Sequence, residues 1–268
     1  MQEWLDFAVE LAREAGGRLL AAHGSVTRAA VGYKGWRNLV TELDLEVERL
    51  VTGRIGARYP DHGILAEEGA RKEGAGGLRW VIDPLDGTTN YVHRHPMYCV
   101  SIALEDEAGP LVGVVFAPYL DELFTATRGG GAWRNRSARM EVSESDELSR
   151  SLLASGFAYS VDGMHDVNLE NWARLARISR GLRRCGSAAL DLAYVADGRY
   201  DGFWELNLNA WDVAAGALLV TEAGGQVTDC RGGIAWREGR SILATNGKIH
   251  PALQGELSLG RQEADQAG

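Results

Sequence analysis

Two aspartates stand three residues apart in the stretch Trp80-Val-Ile-Asp-Pro-Leu-Asp-Gly-Thr-Thr-Asn-Tyr91, directly after an apolar triplet that reads as a buried strand. Asp, Pro and Gly each favour chain reversal, so a turn is the simplest reading. Three other acidic positions change the balance: the pair Glu67-Glu68 after another apolar run, Asp212 at the mouth of an apolar helix, and Asp44 in the first turn of an amphipathic one. Taken singly, Asp212 reads as a helix cap, Asp44 as an acid complementing the helix dipole, and Asp83 and Asp86 as turn residues. Taken together they occupy strand ends and helix starts, where open α/β folds gather their sites. Carboxylates converging there repel one another unless cations intervene. Hard oxygen donors suit Mg²⁺. Zinc is disfavoured because no Cys or His cluster is present, and His93 and His95 read as loop residues with structural roles.

A frame of helices and short strands must position these acids. Trp4, Ala8, Leu11 and Ala15 recur at helical intervals, and Leu43, Val47, Leu50, Val51 and Ile55 mark a second helix with Thr41 as N-cap and Pro60 past its end. Strands are expected over 62–66 and 78–82, around a charged, glycine-rich loop at 67–77. Those over 100–104, 113–116 and 123–127 read as an antiparallel meander. Gly129-Gly130-Gly131 invites a phosphate-loop reading, but Ala132-Trp133-Arg134-Asn135 follows it where a helix start is needed, which favours a hairpin or bend. The polar run 143–147 is the internal seam of a single domain, 1–268, with halves of roughly 1–145 and 146–268. Beyond it come a strand at 152–155, helices at 172–178 and 188–196, and an apolar helix at 213–223 stopped by Gly224-Gly225. Strands at 226–228 and 241–245 complete a layered α/β or α+β pattern, and the polar tail from Arg261 is expected to fray.

The composition narrows the partners. Among 268 residues, 28 are Lys or Arg against 37 Asp or Glu, and a formal charge of -9 repels nucleic-acid backbones. Cys99, Cys185 and Cys230 are odd in number and lack a CxxC pattern, which reads as reduced thiols in a cytoplasmic protein. The amino terminus lacks the features of a signal peptide, and no apolar run reaches the ~18 residues of a membrane span.

The Asp83-Pro-Leu-Asp-Gly-Thr-Thr-Asn-Tyr91 stretch resembles the first signature of the inositol monophosphatase family, and Trp211-Asp-Val-Ala-Ala-Gly216 with Thr221-Glu-Ala-Gly-Gly225 resembles the second. Ala66-Glu-Glu68, Leu39-Val-Thr-Glu-Leu-Asp44, Arg184-Cys-Gly-Ser-Ala-Ala189 and Asp201-Gly-Phe-Trp-Glu205 are similar to further family motifs. Order and intervals agree from about residue 4 to residue 253. The resemblance, to the bacterial inositol-1-monophosphatase type, implies a layered αβαβα sandwich of the sugar phosphatase type. It also implies hydrolysis of phosphomonoesters with two or three Mg²⁺ ions. Carried over position by position, it implies that Glu67, Asp83 and the Leu85 carbonyl hold one ion, and that Asp83, Asp86 and Asp212 hold a second. Thr88, paired with Asp44, would orient the attacking water, with Glu67 beside them in the catalytic set. Asp86, Gly87, Thr88, Ser187, Ala188, Glu205 and Asp212 would contact substrate, the Gly87 and Thr88 amides through its phosphate.

Two cations roughly 4 Å apart are able to clamp a phosphate and activate a water for in-line attack. Ser187 stands where the family often has threonine, and Ala66 where it often has glycine. The implied substrate is myo-inositol 1-phosphate or a similar polyol or sugar phosphate. Fructose 1,6-bisphosphate, histidinol phosphate and a 3′-phosphorylated nucleotide are the alternatives on the same fold, and a regulatory binding protein without turnover is the alternative from another class. Lithium sensitivity and a homodimer are further implications.

Overall fold

The computed structural model describes residues 1–24, 31–33, 39–157 and 168–257, with backbone alone at 31–33 and 39–41. The expected cap at Thr41 and the tail from Arg261 lie outside what it describes. In chain order the helices are α1 (Gln2–Ala22), α2 (Glu42–Arg58), α3 (Thr88–Val92), α4 (Leu169–Ile178), α5 (Ala188–Ala196) and α6 (Ala210–Glu222), with a further helical segment over 250–257. Strands β1 (Val31–Tyr33) and β2 (Leu39–Thr41) pair with each other. The first large sheet contains β3 (Gly63–Ala66), β4 (Arg71–Lys72), β5 (Arg79–Asp86), β6 (Cys99–Asp106), β7 (Gly109–Ala117), β8 (Glu122–Thr127), β9 (Gly131–Arg134) and β10 (Ala138–Arg139). Their spatial order is β10-β9-β8-β7-β6-β5-β3-β4. The second sheet joins β11 (Leu152–Ser155), β12 (Gly181–Arg183), β13 (Gly202–Leu206), β14 (Gln226–Thr228) and β15 (Ser241–Thr245) in the order β12-β11-β13-β15-β14.

Side-chain alternation explains how the layers stack. Along β5, β6 and β7 one set of residues, Trp80, Ile82, Val100, Ile102, Val112 and Val114, packs against α1 and α2. The intervening set, Val81, Ala103, Val115 and Ala117, faces α5 and α6. Helices α5 and α6 are thus enclosed between the two sheets, and both have apolar residues on nearly every face. Leu153, Trp204, Leu206 and Leu243 of the second sheet pack on their other side against Leu175 of α4 and against Leu253 and Leu257. The sequence is therefore a layered αβαβα sandwich, as its resemblance implies. Close approach in the middle layer rests on small residues: a Cβ built on Gly216 of α6 would come within 2.5 Å of the Leu192 Cβ on α5.

Several boundaries differ from the periodicity reading. Strand β5 continues through both aspartates to Asp86, with a register shift against β6 between Asp83 and Asp86. Pro84, which has no N–H to donate, falls within that irregularity, where a strand tolerates it. The short elements β4, β9, β10, β12 and α3, and the fully buried β13, have too few residues for periodicity to register. The Gly129–Gly131 segment is a hairpin between β8 and β9, and the Glu222 carboxylate accepts from Gly129 N–H at 2.7 Å and Gly131 N–H at 2.9 Å. An anion from the chain itself already fills that nest of amides.

Candidate active site

The pocket opens where β5, the turn after β3, the start of α5, the end of β13 and the start of α6 converge. Glu67, Asp83, Leu85, Asp86, Gly87, Thr88, Ser187, Ala188, Glu205 and Asp212 all line it. Every pocket residue expected from sequence is thus brought to one place, with Asp44 reaching it through Thr88. His93 and His95 do not line it.

Hydrogen bonds fix most of these groups. The strand irregularity turns Asp83 so that its Oδ1 accepts from Leu85 N–H at 3.0 Å. Thr88 Oγ1 lies 3.1 Å from Asp44 Oδ1 and 3.1 Å from the Leu85 carbonyl. Asp44 is completely buried on α2, so the hydroxyl is held by an acid that solvent does not reach. Asp86 Oδ2 accepts from Ser187 Oγ at 2.8 Å and from Ala189 N–H at 2.7 Å. Ser187 does occupy the N-cap position of α5, but its hydroxyl is spent on Asp86, not on the helix. Asp212 is the third residue of α6, where its Oδ2 accepts from Asn209 N–H at 2.6 Å in a capping box. Asn209, not Asp212, is therefore the cap. At Gly87, φ is +95° and a Cβ would meet the Met97 carbonyl at 2.9 Å, so glycine is needed there for both backbone and space.

The electrostatics follow from burial. Burial raises the Asp83 carboxyl well above the usual carboxylate range, and the charges of Glu67, Asp86 and Asp212 add to it. Asp86 is pushed up to about 6 by burial, against the lowering effect of the Ser187 and Ala189 hydrogen bonds. Asp212 rises through burial and the charge of Asp86. Glu205 is pushed up to about 8 by burial and by Asp191, with Arg184 acting in the opposite direction. Among the described lining residues Arg184 is the sole cation. A divalent ion fits this chemistry, because hard oxygens predominate and the acids destabilise one another without added positive charge. Among the described residues, no three acid, imidazole or thiol side chains are already gathered tightly enough to ligate an ion as they stand. One oxygen of each of Asp83, Asp86 and Asp212 is engaged by a protein donor, and the Asp83 and Glu67 side chains are within hydrogen-bonding reach of each other.

Sequence reasoning assigned no role to Thr89, Gly156, Phe157, Asn207, Leu208 and Asn209, which also line the pocket, nor to Arg184. Only Asn209 had a legible signal, since Asn-x-x-Asp before an apolar run has the spacing of a capping box. Gly156 and Phe157 reach the pocket because they follow β11, a placement set by sheet pairing.

A sequence profile described as the inositol monophosphatase family matches residues 1–260. The chain is 44% identical to an inositol-1-monophosphatase of Synechocystis sp., over 96% of this chain and 90% of that protein. It is 43% identical to the Nus factor SuhB of Pseudomonas aeruginosa, over 94% of this chain and 95% of the relative. The solved structure of an inositol monophosphatase from Anabaena (Nostoc) sp. PCC 7120 superposes with a TM-score of 0.87 at 43% identity, covering 96% of each chain.

Proposed function

The chain belongs to the inositol monophosphatase family, and from that premise we propose that it hydrolyses myo-inositol 1-phosphate, or a similar polyol or sugar phosphate, using Mg²⁺. It is a phosphoric monoester hydrolase of a metal-dependent family. The observation that carries the finer reading is the convergence of three mutually repelling carboxyls, the buried Asp83 and Asp86 and the half-buried Asp212, beside the Thr88–Asp44 pair. Glu67, Asp83, the Leu85 carbonyl, Asp86 and Asp212 would hold two or three ions, which when bound supply positive charge to the phosphate and lower the pKa of water.

The chain's own groups define the rest. Thr88 Oγ1 carries one proton and lies between Asp44 and the Leu85 carbonyl, so it is held to position the attacking water, with Asp44 as the proton acceptor behind it. Gly87 and Thr88 line the pocket, and their amides would donate to the phosphate. Glu205, whose carboxyl burial raises to about 8 in the metal-free chain, lines the pocket as a partner for a substrate hydroxyl, and Ser187 and Ala188 complete that wall. Retention of Thr88, Asp44 and every candidate ligand favours catalysis over a purely binding role.

No helix among the described residues is long and apolar enough to cross a membrane. A cytoplasmic setting accords with three cysteines outside any disulfide, and a homodimer is the proposed assembly. Phosphate release from inositol 1-phosphate, fructose 1,6-bisphosphate, histidinol phosphate and adenosine 3′,5′-bisphosphate, with and without Mg²⁺, tests the proposal. Release from the inositol ester that needs Mg²⁺ and slows in millimolar lithium is expected. Preference for any of the other three esters refutes the substrate assignment.

A further inference from the structure

Helix α2 carries two buried acids one turn apart, Asp44 and Glu48, on the face that also buries Val47, Val51 and Ile55. Like charges four residues apart destabilise a helix, and burial adds to the cost, so each needs a compensating partner. Asp44 has Thr88. Glu48, 5% exposed, has the turn after β3: its Oε2 accepts from Glu68 N–H at 2.6 Å and its Oε1 from Ala70 N–H at 3.0 Å. That turn carries Glu67 into the pocket. Its backbone ties also include Glu67 N–H to the Ile82 carbonyl at 3.2 Å and Ala66 N–H to the Ala70 carbonyl at 2.9 Å.

We propose that Glu48 is a positioning residue for the ion site, its two carboxylate oxygens locking the 67–70 turn so that Glu67 faces Asp83 in a fixed orientation. The inference rests on the reading of Glu67 as a metal ligand. Both oxygens are used by adjacent amides, a two-point contact that fixes the turn's rotation as well as its distance from α2. Helix α2 then acts as one rigid bar that sets Thr88 through Asp44 and Glu67 through Glu48. Without Glu48 the turn keeps its ties to Ile82 of β5 and to the Ala70 carbonyl but loses two hydrogen bonds beneath the ligand.

The test uses Mn²⁺, a paramagnetic ion with the same preference for hard oxygen, titrated into metal-free full-length protein and followed by electron paramagnetic resonance without substrate. Glu48→Gln keeps the shape but sets an NH₂ against one of the two amides. It is expected to weaken Mn²⁺ binding by about ten-fold, the loss typical of a group that supports a ligand. Thermal unfolding of the same samples separates a purely structural role, which lowers Tm and leaves Mn²⁺ binding within about two-fold of the unaltered protein, the outcome that overturns the inference. Glu67→Gln runs in parallel: if it too leaves Mn²⁺ binding unchanged, the ligand reading fails first, whereas weakening by Glu67→Gln alone defeats only the role of Glu48. Should Glu48→Gln not fold, Glu48→Asp, which keeps the charge but shortens the reach, carries the same comparison.

Discussion

Stability of the metal-free protein is expected to fall as pH rises, and Glu205 supplies a magnitude. In the folded chain this carboxyl moves from its ordinary 4.5 to about 8, through burial first and the Asp191 charge second. A folded-state value above the unfolded one means that the native protein binds the proton more tightly. The contribution is therefore fully present below 4.5 and is lost as pH rises through about 8. Linkage makes it about 4 kcal/mol at pH 5 and close to zero at pH 9. Asp86, at about 6 in place of 3.8, adds about 1 kcal/mol of the same sign at pH 5. His23, His62 and His250, whose imidazoles burial lowers, act in the opposite sense at acid pH, so the contribution must be read as a difference. Urea unfolding in EDTA at pH 5, 7 and 9, run on the natural protein and on Glu205→Gln, isolates it. The variant should be flatter between pH 5 and 9 by about 4 kcal/mol. Parallel curves for the two proteins refute the reasoning.

Three further outcomes are expected. Asp212→Asn should lose turnover on the order of 100-fold while staying folded, since an amide oxygen still accepts from Asn209 N–H; full activity with native circular dichroism contradicts the ligand assignment. Thr88→Val removes the hydroxyl between Asp44 and Leu85 and should lower kcat and kcat/KM together by about 100-fold, whereas a change in KM alone assigns Thr88 to binding. Gly216→Ala places a methyl 2.5 Å from Leu192 Cβ and should cost about 1–3 kcal/mol in urea unfolding; a stabilised variant shows that α5 and α6 have room to separate.

The long elements were legible because their burial is one-sided or complete. Helix α1 shows its stripe of Phe7, Leu11, Ala15 and Leu19, and α6 its run of apolar residues. The meander was legible because its strands are separated by turn residues. Strand β13 was not, although Gly202-Phe-Trp-Glu-Leu206 is buried throughout, because a five-residue run has no period to measure. The acids of the pocket were found through their positions after strands and before helices, whereas their separate roles came only from resemblance to a family. Glu48 was passed over because in sequence it reads as one more acid among Glu42, Asp44 and Glu46. Its importance lies in two backbone amides twenty and twenty-two residues away, and no local pattern encodes that contact.

The enclosed position of α6 bears on how the protein is made. Strands β5 to β8 precede α6 in the chain, and the sheet face with Val81, Ala103, Val115, Phe124 and Ala126 is the one that α6 later covers. During translation that face leaves the ribosome before either covering helix, and its cover is complete only when α5 and then residues 210–222 of α6 follow, a delay of about 5–20 s at ordinary elongation rates. For that interval the nascent chain displays a sheet of Val, Ala and Phe to solvent, the condition under which growing polypeptides stick to one another or engage chaperones.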